Sequence, residues 1–372
     1  IVTCISMFSC CGKQESLSEG MEVHHIVVKC GYDMDIAITN SVMSMYGKCG
    51  CLEDARIVFD TASQDDVISW NSMISMYSYN GCVTQALDCF YQMYQNGVIP
   101  NRVTYISILS ICMNTSSKRN NSQGSIHASK WNKFRFFHAL AVSNDLNHDV
   151  VAGTAIINMY GKVGNVHYAR NIFDDMPDRN VISWNSMIAV YTQHCQRKQA
   201  FQLLYGMHQE NVLSSRLTFI NILEACSDRS AFNEGKRLHV FIQSNGFEAD
   251  IVITNALLNM YGKCHRLGDV KELFEYATSR NDITWNVVIT CYAQNQEGDT
   301  ALVLFNQMLQ EGSMPNKVTY IAVLDACIIQ EDLLKGSRVH AQIVASHLKL
   351  DYMVRNCLLN LYNKCDKVLI AQ

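Results

Sequence analysis

The sequence predicts an all-α solenoid of stacked helix-turn-helix repeats. Three observations carry that prediction. Short signatures return at fixed long intervals, the apolar residues within each interval follow a helical period, and the three prolines, Pro100, Pro177 and Pro315, fall at interval ends, where helices should stop.

The recurrence comes first. Met45-Tyr46-Gly47-Lys48 reappears as Met159-Tyr160-Gly161-Lys162 and Met260-Tyr261-Gly262-Lys263, with Leu361-Tyr362-Asn363-Lys364 a weaker copy, so that the tyrosines lie 114, 101 and 101 residues apart. Trp70, Trp184 and Trp285 keep the 114 and 101 spacing, and so do Ala86, Ala200 and Ala301. Ser69–Ile74 and Ser183–Ile188 both read SWNSMI. The 101-residue interval divides into units of 35, 31 and 35 residues. One type carries VTYISILSIC or its relatives, the second the MYGK stretch, the third the SWN stretch. The resulting boundaries are 1–35, 36–66, 67–101, 102–149, 150–180, 181–215, 216–250, 251–281, 282–316 and 317–351, with 352–372 a truncated piece. Unit 102–149 is 48 residues long and so carries an insertion of 13.

Each unit reads as two helices. Leu52, Ala55, Val58 and Phe59 form a stripe that Val166, Ala169, Ile172 and Phe173 repeat, as do Leu267, Val270, Leu273 and Phe274. Gly50 and Gly164 precede these stripes as helix-ending residues. A hairpin of this size cannot bury its apolar face alone, so neighbours must stack.

Composition narrows the function. The net charge is −4, which excludes a protein that holds nucleic acid by bulk positive charge. Sixteen cysteines are present, several at one place in the repeat: Cys11, Cys112, Cys226 and Cys327, then Cys49, Cys264 and Cys365. On apolar faces they read as buried free thiols. No CxxC pair suggests a zinc site, and no apolar run approaches the about 20 residues of a membrane span. The chain begins at Ile1 and shows no targeting segment, and it reads as a fragment.

These residues resemble the pentatricopeptide repeat (PPR) family, in its plant subclass of alternating P, L and S motifs. The SWN units resemble P motifs, the MYGK units S motifs and the VTYI units L motifs, over essentially the whole chain. The resemblance implies a right-handed superhelix whose first helices line a groove for single-stranded RNA, about one base per motif. It also implies that two residues per motif select the base. In the P-like units these are Asn71/Asn101, Asn185/Ser215 and Asn286/Asn316; in the S-like units, Asn40/Asp66, Thr154/Asn180 and Asn255/Asn281. The L-like units offer Ile5/Asp35, Ile106/Asp149, Ile220/Asp250 and Ile321/Asp351, and an isoleucine has no polar edge with which to read. By the family's pairing rule the expected target is x-U-Y-x-A-C-x-Y-Y-x, where Y is a pyrimidine and x is unread.

The resemblance implies base-sandwiching apolar residues at Ile68, Val151, Ile182, Val252 and Ile283, with Ala37 a weaker member. Lys48, Lys162, Lys263 and Lys364 recur at the end of the first helix of the S-like units and suit RNA phosphates, or equally the helix dipole. The recurring asparagines have a plainer reading as cap residues. The tryptophans read as core, and His24, His127, His239 and His340 as packing or solvated residues. The insertion, between Cys112 and His138, holds Lys118, Arg119, Lys130, Lys133 and Arg135 among Trp131, Phe134, Phe136 and Phe137. It reads as a solvated loop that can add RNA contacts.

The expected function is sequence-specific RNA binding in a mitochondrion or chloroplast, as a specificity factor for RNA editing or processing. No catalytic residue, metal or cofactor is expected. The HxE and CxxC of zinc deaminases are missing, so a C-terminal DYW deaminase domain would be supplied beyond this stretch or in trans, with other editing-complex proteins as possible partners. The competing expectations are a protein-binding scaffold indifferent to RNA sequence and a decayed gene product.

Overall fold

A computed structural model describes residues 1–62, 66–114, 139, 149–277, 279–346 and 351–365. Among these the regular structure is helical throughout. The chain divides into two compact units, Ile1–Val190 and Tyr191–Gln372. The first contains α1 (Val2–Gln14), α2 (Leu17–Lys29), α3 (Ile36–Lys48), α4 (Leu52–Thr61), α5 (Val67–Tyr79), α6 (Val83–Gln95), α7 (Arg102–Asn114), α8 (Val150–Val163), α9 (Val166–Asp175) and most of α10 (Val181–Gln193). The second contains α11 (Arg197–Gln209), α12 (Arg216–Ala225), α13 (Phe232–Ser244), α14 (Ile251–Lys263), α15 (Leu267–Tyr276), α16 (Asp282–Gln294), α17 (Gly298–Gln310), α18 (Lys317–Gln330), α19 (Leu333–Ala345) and α20 (Tyr352–Lys364).

Within each unit, first helices of successive hairpins stack on one another. In the first unit α1, α3, α5, α7 and α8 stack in that order; in the second, α12, α14, α16, α18 and α20 do. Their starts are set by side-chain caps. Asp35 accepts from the Ile38 N–H at 3.1 Å, Asp66 from Ser69 at 3.1 Å and Asp149 from Ala152 at 2.8 Å. Each such cap stabilises its helix by about 0.5–2 kcal/mol. At the other end, Gly164 takes φ 88° as the residue that stops α8, a conformation without steric cost for glycine.

The aromatic core repeats with the sequence. Phe59 meets Trp70 edge-on at 4.7 Å, Phe173 meets Trp184 at 4.8 Å, and Phe274 meets Trp285 at 4.9 Å. All three tryptophans are buried, as their place on the apolar stripe predicts. Each fully buried phenylalanine contributes roughly 1.5–3 kcal/mol. Cys11, Cys226, Cys264 and Cys327 are buried free thiols, whereas Cys49 and Cys365 are only half-buried; the Cys112 side chain lies outside the described residues. Burial pushes the Cys226 thiol up to about 12, so it stays protonated and unreactive.

The histidines find an internal partner. His24, His239 and His340 each place Nδ1 on the hydroxyl of Tyr46, Tyr261 and Tyr362, at 3.0, 2.8 and 2.7 Å. His127 and the basic-aromatic insertion lie outside the described residues.

Candidate nucleic-acid interface

The second member of every expected P-like or S-like pair is a helix N-cap. Asn101 Oδ1 accepts from the N–H groups of Val103 at 3.0 Å and Thr104 at 3.2 Å. Asn180 does the same for Ile182 and Ser183, both at 3.0 Å. Asp66, Ser215, Asn281 and Asn316 cap α5, α12, α16 and α18. Capping thus falls to the second members and not to the recurring first-member asparagines, which stand at the fifth place inside their helices, and it leaves the recognition reading open: an asparagine cap spends its carbonyl oxygen and keeps its amide hydrogens.

The first members are buried: although the resemblance implies that the first helices line a groove, Asn71, Thr154, Asn185, Asn255 and Asn286 are only 6–9% exposed. Hydrogen bonding explains why burial is tolerated. The Thr104 hydroxyl donates to Asn71 Oδ1 at 2.6 Å, and Asn71 Nδ2 donates to Asn101 Oδ1 at 3.0 Å. In the second unit Thr319 donates to Asn286 Oδ1 at 2.5 Å, and Asn286 Nδ2 reaches Asn316 Oδ1 at 3.3 Å. Each pair thus presents surplus N–H groups and no free amide oxygen. The S-like sites differ. Asn40 Oδ1 and Asn255 Oδ1 are buried without a hydrogen-bond partner, and the Thr154 hydroxyl donates to the Val150 carbonyl at 2.6 Å. Asn185 belongs to the first unit and Ser215 to the second.

The expected sandwiching residues are all solvent-facing. Ile68 is 59% exposed and Ile182 65%, with Val151, Val252 and Ile283 also exposed. The four lysines are exposed as well, and among the described residues no ion pair engages them. A cavity of about 520 Å³ in the first unit joins the classes. Asn71, Asn101, Ile68 and Lys48 line it together, with Val103, Ser44, Ser72, Ser75 and Tyr79. No carboxylate lines it. Such a site offers donors at one end, apolar flanks, and a cation at the other end.

The L-like positions are chemically closed. Ile5, Ile106, Ile220 and Ile321 are half-buried. Asp250 caps α14 and also accepts from Arg216 Nε at 2.6 Å; Asp149 caps α8 and pairs with Arg102 at 3.1 Å. Burial of the Asp250 carboxyl opposes ionisation, but the backbone N–H groups and Arg216 outweigh it and hold its pKa below the usual carboxylate range.

Two groups of residues escaped the sequence reading. Thr104 and Thr319 orient the paired asparagines, and the sequence signal was a hydroxyl three places after each capping residue. Val103, Leu217, Val318 and Met353 are exposed apolar residues at the same second-residue place as Ile68; register alone marks them.

Helix pairs stacked through their first helices, with a periodic polar edge, define a helical-repeat protein. Two family models, described as "PPR repeat family" and "PPR repeat", match residues 65–114 and 280–328, and 38–65, 154–181 and 182–212. Pentatricopeptide repeat-containing protein At4g35130, chloroplastic, of Arabidopsis thaliana is 35% identical over 94% of this chain and 42% of its own length. The mitochondrial protein At4g31070 of the same plant is 30% identical over 98% of this chain and 57% of its own length. The chain therefore spans about half the length of these curated relatives. Among solved structures, PPR10 in complex with an 18-nt psaJ RNA element matches all of this chain with 57% of its own, at a TM-score of 0.58 and 17% identity. This chain belongs to the pentatricopeptide repeat family.

Proposed function

We propose that this chain binds single-stranded RNA and selects bases through the paired residues at the starts of its first helices. The observation that carries the reading is the amide pair Asn71–Asn101, joined at 3.0 Å and opening onto a cavity with Ile68 and Lys48. Surplus N–H groups suit the acceptor-rich edge of a pyrimidine. Stacking on the flanking apolar and aromatic surfaces and contacts to the four lysines add affinity in spite of the net charge of −4. The ten-motif division in L-S-P order and the target x-U-Y-x-A-C-x-Y-Y-x belong to this proposal. So do residence in a chloroplast or mitochondrion, a role as an editing or processing specificity factor, and a deaminase acting in trans. The chain positions RNA; bond-making belongs to its partners.

A gel-shift comparison at fixed salt tests it, using RNA of the stated pattern and a permuted control of equal composition. Tighter binding of the pattern is expected. Equal affinity would favour a scaffold indifferent to sequence. Exchanging Thr154→Asn together with Asn180→Asp should move preference at the fifth place from A to U.

A further inference from the structure

Tyr79 is the last residue of α5, is 75% exposed, and lines the same cavity as Asn71, Asn101 and Lys48. Among the described residues no hydrogen bond or ring contact engages it, so its phenol is available. Eight residues separate it from Asn71 along α5, about 12 Å at the α-helical rise, comparable to the span of a nucleotide from base edge to phosphate. Lys48, the last residue of α3, reaches the same cavity. The cavity thus has an amide end and, away from it, an end with an ammonium and a phenolic hydroxyl and no carboxylate. In the other two P-like segments this helix position is Gln193 or Gln294, so the first-member asparagine is kept while the far end varies.

We propose that the Tyr79 hydroxyl donates a hydrogen bond to a phosphodiester oxygen of the nucleotide whose base meets Asn71 and Asn101, sharing that phosphate with Lys48. This rests on the RNA-binding reading and deepens it: segment 67–101 gains a phosphate contact of its own.

The probe is RNA of the expected pattern, prepared with all phosphates and with one neutral methylphosphonate linkage at the third nucleotide. Tyr79→Phe keeps the ring and removes the donor. It should bind the all-phosphate RNA about tenfold more weakly than the unaltered protein, the loss of one hydrogen bond to a charged group. On the methylphosphonate RNA the two proteins should bind alike. Equal binding of the all-phosphate RNA, or a tenfold loss that persists on the neutral linkage, overturns the assignment. Should the unaltered protein bind patterned and permuted RNA equally, base reading fails, and equal binding of the all-phosphate RNA by Tyr79→Phe and the unaltered protein still overturns the phosphate contact.

Discussion

In the second unit, the starts of α12 and α16 occupy equivalent places with opposite chemistry. The fifth residue of α16 is Asn286, hydrogen-bonded to Asn316, the cap of α18. The fifth residue of α12 is Ile220, and the corresponding cap, Asp250 of α14, accepts from the Val252 and Ile253 N–H groups and from Arg216. Asparagine and aspartate cap helices about equally well. They differ in what remains afterwards: the amide retains two N–H donors, and the carboxylate retains none. Capping therefore leaves the choice of side chain free for recognition, and the chain has used that freedom in alternate ways.

The largest expected effect comes from converting one kind of slot to the other. Asn286→Ile should weaken binding of the patterned RNA about tenfold, by removing a buried hydrogen-bonded amide, and should erase preference at the ninth nucleotide. Gel shifts with each of the four bases at that place check it; a surviving pyrimidine preference would mean Asn286 is not the reader. The reverse conversion is weaker. Ile220→Asn with Asp250→Asn should create a preference of roughly 2- to 5-fold at the seventh nucleotide, the low end of a net hydrogen bond. Ile220→Asn alone should give less, because Arg216 still occupies the cap carboxylate. A full gain from the single change would refute the closed-carboxylate account.

Much of this was legible in the sequence, because repetition averages out local ambiguity. Three tryptophans in one register fixed the core, and three MYGK copies fixed the hairpin phase. The division of labour inside the site was not legible. Burial of Asn71 depends on Thr104, 33 residues away, and no helical period reports a contact across a stack. The role of Gly47 and Gly262 was hidden for the same reason. A Cβ on either would collide with the side chain of Met76 or Cys291 on the next first helix, so glycine there sets how closely α3 approaches α5 and α14 approaches α16. Overpacking of this kind costs typically about 1–3 kcal/mol. Sequence periodicity marks which face is buried, but the separation of two faces is decided by the partner side chain.

Arg216→Ala tests the sealed slot by itself. The Asp250 carboxyl should titrate closer to the ordinary carboxylate range once the guanidinium is gone, as followed by carboxyl NMR. A group with a depressed folded pKa contributes stability above its unfolded pKa and loses it as pH falls through the folded value. The variant should therefore lose less stability than the unaltered protein between about pH 4 and the acid limit. The effect should be small, since Arg216 is largely exposed. An unmoved Asp250 titration would leave the backbone cap as its only support.

The smallest effect concerns the joint that follows α12 and has no counterpart after α16. His239 on α13 meets the Tyr261 hydroxyl on α14 at 2.8 Å. Burial lowers the His239 pKa, against the opposing pull of Asp269 and Glu272, so the folded protein favours the neutral ring. Its contribution is complete above the unfolded histidine value near about 6.5 and is lost as pH falls towards the folded value. Melting temperature should consequently drop between about pH 7.5 and 5.5. His239→Gln keeps a side chain able to bond the tyrosine but removes the titration, and it should shallow that drop. His24, half-buried against Tyr46 with its pKa likewise lowered by burial, supplies a second contribution in the first unit, so the slope should shrink without vanishing. An unchanged slope in His239→Gln would mean that the α13–α14 joint tolerates a charged imidazole, and that the histidine–tyrosine contact packs the hairpin without making its stability depend on pH.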